Sequence, residues 1–191
     1  ENTTWAFETS VVCRAGTDVG KVYATVTWGF KVDDDLKITE FDRVVTSGLP
    51  RTVETARIVA PDAEIESWPE LREIESGRLA DIPENELERT FVEAWRDVVP
   101  EEARFLGGES VGSLLDRVIP AVDRLLSDTD WDVLLAVLHG GVNRAILSYA
   151  LTGGRAFLGN FEQSPGCINV LDVGDDWVVR AVNTSPCDVA H

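Results

Sequence analysis

The chain is poor in the residues that hold metals and in the runs that cross membranes. It has two histidines, His139 and His191, and three cysteines, Cys13, Cys167 and Cys187, with no CxxC spacing. That pattern offers no metal-ligand cluster, so no metal and no cofactor are expected. An odd cysteine count excludes a full disulfide framework, and the three are read as reduced thiols. No apolar run approaches the ~20 residues of a membrane span, and no leader pattern is visible, so a cytoplasmic location is expected. Positive charge is scarce as well: 17 basic residues face 34 acidic ones, for a net charge of −17. Such a surface repels nucleic acid and anionic membranes, and neither is expected as a partner. An anionic small molecule would have to be captured by a local positive pocket against the global field. A homodimer is left open.

What is present is ordinary for a globular protein. Hydrophobic residues make up 44% of 191, and this length suits one α/β domain over residues 1–191 with ample chain to bury a core. The first forty residues stand apart. They hold all three lysines (Lys21, Lys31, Lys37), none of the eight prolines and seven of the fourteen threonines, whereas residues 41–191 hold thirteen arginines and no lysine. Within them, residues 1–10 show no clear period. Val11-Val12-Cys13 reads as a short strand. Lys21 to Val32 reads as a strand with Val22, Ala24, Val26, Trp28, Phe30 and Val32 on one face.

The rest of the chain is organised around Val133-Leu134-Leu135-Ala136-Val137-Leu138-His139-Gly140-Gly141-Val142-Asn143-Arg144. Six apolar residues without a polar break suit a strand buried on both faces. A histidine, two glycines and a helical pattern (Val142, Ala145, Ile146, Tyr149, Ala150) follow. Strand, tight turn and helix aim backbone N–H groups and the helix dipole at an anion. Read alone, His139 could equally be a residue that only caps the helix.

A second unit has the same build. Val44 to Ser47 reads as a strand, and Gly48 to Val59 as turn and helix with Pro50 in the first turn. Arg51 then lies beside the positive end of the dipole, where a cation is unfavourable for the helix and a bound anion would relieve the conflict. Two strand ends, two helix N-termini, one arginine and one histidine describe a phosphate pocket.

Further helices are expected over residues 84–99 and from a Ser110 cap through Val111, Leu114, Leu115, Val118, Ile119, Val122, Leu125 and Leu126, a core face. The first helix should stop near Ala60-Pro61. A short strand is expected within 63–66, a helix end at Thr152-Gly153-Gly154, and a hairpin from 167–173 and 177–182.

These residues carry a resemblance. Thr46-Ser47-Gly48-Leu49-Pro50-Arg51-Thr52-Val53-Glu54-Thr55-Ala56 resembles the Ser-x-Leu-x-Arg-x-x-x-Thr-Ala segment of the histidine phosphatase superfamily, the phosphoglycerate mutase-like fold. Leu138-His139-Gly140-Gly141 resembles its second histidine motif. Leu71 to Gly77 resembles its general-acid segment, and Gly108-Glu109-Ser110 with Arg117 its Gly-Glu-Ser helix start. The match runs from about Phe41 to the C-terminus and resembles most the small bacterial phosphatase branch.

The resemblance implies a three-layer α/β sandwich with a mostly parallel central sheet and helices on both faces. It implies catalytic roles for His139, Arg51 and Glu73, the last as proton donor to the leaving alkoxide. Arg51 would clamp the phosphoryl group and protonated His139 would add a second cation. Substrate contacts are expected from Arg14, Ser47, Glu109, the Gly140 turn and Asn143, with Asn169 a weaker candidate. Glu109 could equally be a cap-region acid. The implied partner is a small phosphorylated substrate or inorganic phosphate.

The family's first strand ends in Arg-His-Gly, whose histidine takes the phosphoryl group. The nearest match here is Cys13-Arg14-Ala15-Gly16-Thr17, with Ala15 in the histidine's place. A naturally diverged segment, a deliberate substitution, and a foreign segment from frameshift or fusion are the open explanations. The functional expectation is a phosphomonoesterase impaired at Ala15. A non-catalytic module binding a phosphorylated ligand or partner is the alternative. A mutase-like phosphotransferase comes third, since no substrate-capping insertion is apparent.

Overall fold

The computed structural model describes residues 3–8 (backbone), 41–78, 95–128, 130–174 and 176–184. Arg14, Ala15, the strands expected at 11–13 and 21–32, and His191 lie outside them.

Strands β2 (Arg43–Thr46), β3 (Ile65–Ser67) and β5 (Leu134–Val137) form a parallel sheet in the order β3-β2-β5. Val44 stands opposite Leu135 and Thr46 opposite Val137. Every residue of β5 is buried, as an unbroken apolar run requires when both faces are covered.

The pleat divides these residues between two cores. Val44, Leu135 and Val137 pack with Ala56 and Ala60 on the side of α1 (Pro50–Val59). Val45, Leu134, Ala136 and Leu138 pack against α2 (Val111–Ser127) and α3 (Gly140–Thr152). Alternate side chains of one strand thus meet helices on opposite faces, which gives the expected three-layer α/β arrangement.

The helices start and stop where local chemistry directs. Pro50 opens α1, where its missing N–H costs nothing. Ser110 caps α2 by accepting the Ser113 N–H at 3.1 Å. Gly153 ends α3 in the left-handed region. The buried face of α2 is the expected one, with Ala121 added and Ile119 and Leu126 only partly covered.

The remaining strands pair antiparallel. β7 (Ile168–Val173) and β8 (Trp177–Thr184) form the expected hairpin. β1 (Thr3–Glu8) adds to the other edge of β7, from Thr3 opposite Val173 to Glu8 opposite Ile168, and lies alongside β5. This strand was not expected in residues 1–10. Its hydrogen bonds come from a partner far along the chain, which no local period signals. β4 (Val98–Val99) pairs with β6 (Phe157–Leu158). The helix expected over 84–99 is therefore corrected at its end: Asp97 takes a positive φ of 56° and the next two residues are strand. Residues 84–94 lie outside the described ones.

Candidate active site

β2 and β5 end side by side and deliver Ser47 and His139 to the same place. His139 is the N-cap residue of α3, but its side chain makes no cap bond. Instead the imidazole is buried and held at both nitrogens. Arg51 Nη2 lies 3.0 Å from His139 Nδ1, and His139 Nε2 lies 2.7 Å from Ser47 Oγ.

A guanidinium can only donate, so Nδ1 is the acceptor and the proton sits on Nε2. The hydroxyls behind it agree with this tautomer. Thr52 Oγ1 donates to the Leu49 carbonyl at 2.8 Å, which leaves Ser47 to donate to Thr52 across 3.0 Å and to accept from His139. The Leu49 N–H also points at Ser47 Oγ, at 3.3 Å. His139 is thus neutral here: burial first, then the charges of Arg51 and Arg117, push its pKa down to about 3. Protonation, the condition for His139 to act as a second cation, is disfavoured in this state of the site.

Glu73 approaches from the other side. It follows a 3-10 turn (Pro69–Leu71) anchored by fully buried Leu71. Its carboxyl accepts the Ile74 N–H at 2.9 Å and the Gly141 N–H at 3.0 and 3.2 Å. Burial raises its pKa above the ordinary carboxyl range, and it outweighs those two N–H bonds and the charges of Arg144 and Arg51, which all lower it. A raised pKa shifts the carboxyl towards the protonated form that a general acid requires. Gly141 allows the approach, because a Cβ there would lie 2.5 Å from Glu73 Oε1.

The loop carrying Glu73 is strapped to α2. Arg117 donates to the carbonyls of Glu70 and Arg72 at 2.6 Å each and of Glu73 at 3.3 Å. Glu109 grips the same guanidinium at two points, 2.8 Å each, and accepts the Glu75 N–H at 3.0 Å. These bonds tie Glu109 to Arg117 and to the Glu73 loop. Gly108 lets the two loops touch: a Cβ there would sit 2.3 Å from the Glu75 carbonyl.

Of the sequence-derived candidates, Arg51, Ser47, His139, Gly140 and Glu73 converge. Ser47 is fully buried and orients His139. Asn143 is buried one turn into α3, donating to Gln163 Oε1 at 3.1 Å within an amide network that includes Asn169. Arg14 lies outside the described residues. Among the described residues no cluster of three or more His, Cys, Asp or Glu could hold a metal, and no helix is long and apolar enough to cross a membrane.

Two further residues support the site, and the sequence signals each. Arg117 lies eight residues past Glu109 on a capped helix. Arg144 is a charge set among Val142, Ala145, Ile146 and Leu147, all buried. A charge on a buried helix face calls for a partner.

An arginine, a histidine and two helix N-termini meet at the strand ends of an α/β sheet, faced by a carboxyl whose pKa burial raises. The chain belongs to the histidine phosphatase superfamily (branch 1), which matches residues 31–185. It is similar to the adenosylcobalamin/alpha-ribazole phosphatase of Salmonella typhimurium, 28% identical over 159 residues that cover 78% of this chain and 76% of that one. Among solved structures, it shares its fold with a putative alpha-ribazole-5′-P phosphatase from Escherichia coli (TM-score 0.62, 24% identity, 76% and 74% of the two chains). It also shares it with the mycobacterial glucosyl-3-phosphoglycerate phosphatase (TM-score 0.59, 21% identity, 75% and 77%).

Proposed function

We propose that this chain binds a small phosphomonoester between Arg51, His139 and the N-termini of α1 and α3, with Glu73 placed to protonate the leaving oxygen. The observation that carries the reading is the convergence of a donor-rich pocket with a buried carboxyl bonded to the Gly141 N–H. Phosphoryl transfer needs chiefly positioning and charge neutralisation, which the guanidinium and backbone N–H groups supply. A phosphate replacing Nδ1 as the acceptor for Arg51 would also favour protonation of His139 and so bring in the second cation.

The family's phosphoryl acceptor is a histidine, Ala15 stands at the nearest matching position, and the chain has only His139 and His191. We therefore propose impaired hydrolysis through an intact phosphate pocket. The same observation favours, as second reading, a non-catalytic module for a phosphorylated ligand. Mutase-like phosphotransfer ranks third.

Hydrolysis of a generic aryl phosphate from mildly acidic to neutral pH, with His139→Ala as control, tests the reading alongside calorimetric titration with inorganic phosphate. Turnover above the control supports the phosphatase. Phosphate binding without turnover supports the module. Neither turnover nor binding overturns the phosphate pocket itself.

A further inference from the structure

We propose that Arg144 is a positioning residue for Glu73: it locks the turn that holds the carboxyl and sets a cation beside that carboxyl without pairing to it. The inference rests on the phosphatase reading of the site and names a part of its proton-donating machinery.

Arg144 lies one helical turn after Gly140 in α3. Its Nη1 donates to the Gly140 carbonyl at 3.1 Å and its Nε to the Phe161 carbonyl at 2.7 Å. Its guanidinium lies over the Trp95 ring, 6.0 Å from the centroid. Three contacts from three parts of the chain fix one planar group, as the donor fork of arginine permits and a lysine would not. The Gly140 carbonyl belongs to the same peptide unit as the Gly141 N–H, which bonds Glu73. Holding one end of that rigid plane aims the other.

The cation is also close to the carboxyl it serves. A Cβ built on Gly140 would lie 3.3 Å from Arg144 Nη1 and 3.9 Å from Glu73 Oε2, so the two groups flank one glycine. Yet Arg144 gives its hydrogen bonds to the two carbonyls and not to Glu73. The distinction matters for a proton donor. A direct ion pair would hold Glu73 as carboxylate with no proton to give. A buried carboxyl with no cation nearby would keep its proton but become a costly isolated anion on donating it. A cation tied elsewhere, within reach of the field but outside bonding distance, serves both needs. Among the described residues, the other charged groups on Glu73 are Arg51 from α1 and, at its backbone carbonyl, Arg117 from α2; Cys167 and Glu162 face Arg144 itself, and His139 is neutral.

The test is titration of the Glu73 carboxyl by NMR in protein labelled with 13C-glutamate, the signal assigned by its loss in Glu73→Gln. Arg144→Gln is expected to move the Glu73 midpoint upward by about one pH unit, and Arg144→Lys, which keeps the charge but loses the fork, by less. An unmoved midpoint in folded Arg144→Gln overturns the proposal. The second readout is leaving-group dependence. Arg144→Gln should lose roughly tenfold more activity on an alkyl phosphate, whose alkoxide needs a proton, than on a nitrophenyl phosphate, which needs none. Equal losses on both would reduce Arg144 to a structural role and sink the idea. If wild-type protein hydrolyses neither, the phosphatase reading fails by itself, and the titration still decides whether Arg144 tunes Glu73.

Discussion

Arg51 Nη2 donates to Nδ1 of His139 across 3.0 Å, and this one bond sets the charge of the site. The imidazole cannot accept it and be protonated at that nitrogen. Folding therefore traps His139 neutral, its pKa pushed down from 6.5 to about 3 by burial and then by Arg51 and Arg117.

A pH dependence of stability follows. Below pH 6.5 the unfolded chain protonates His139 while the folded chain does not, so the unfolded state binds more protons and stability rises with pH. Read downward, stability should be lost progressively from about pH 6.5 towards pH 3. Urea denaturation at several pH values checks this. His139→Gln should flatten the slope in that window, and an unchanged slope would count against the neutral, buried imidazole.

Glu73→Gln should lower turnover by about 10²–10⁴-fold on an alkyl phosphate and much less on a nitrophenyl phosphate. With Glu73 as acid, wild-type activity should fall as pH rises through its raised pKa. The pH–rate profile of kcat/KM reads both, and an alkaline limb that persists in Glu73→Gln would assign the limb to another group.

Gly141→Ala puts a methyl group 2.5 Å from Glu73 Oε1 and 3.0 Å from Ile74 Cγ2. The carboxyl must move, and a displacement of that size costs on the order of 10²-fold in rate. Activity should fall while phosphate affinity, measured by calorimetry, changes little.

Arg117→Met removes a guanidinium bonded to three carbonyls and to both oxygens of Glu109. The half-buried Glu109 carboxylate left without its partner makes the loss structural, about 1–3 kcal/mol by chemical denaturation. Turnover should fall with it, since the Glu73 loop loses its strap.

Ser110→Ala removes the side-chain cap of α2 and should cost about 1 kcal/mol. Phosphate binding should be untouched, which separates helix stability from site geometry.

Much of the fold was legible because its signals are local. Residues 133–138 announce a doubly buried strand, Pro50 and Ser110 mark helix starts, and Gly153 marks a stop, each through backbone preference or capping chemistry. The pattern failed where partners are remote. β1 has no period of its own and exists through its ladder to β7, and the expected helix over 84–99 gives way at Val98-Val99 to a pairing with β6.

The site divides the same way. The sequence by itself determined which residues stand at the strand ends and helix starts, because period and turn chemistry place Arg51, Gly140 and His139 there. Only tertiary structure decided their chemical state. His139 meets Ser47 across 92 positions of sequence and Gly141 meets Glu73 across 68. Protonation depends on burial and on which donors face a group, and those are properties of packing between distant segments. A neutral histidine, a glutamate with a raised pKa and an arginine held just short of pairing arise from that packing.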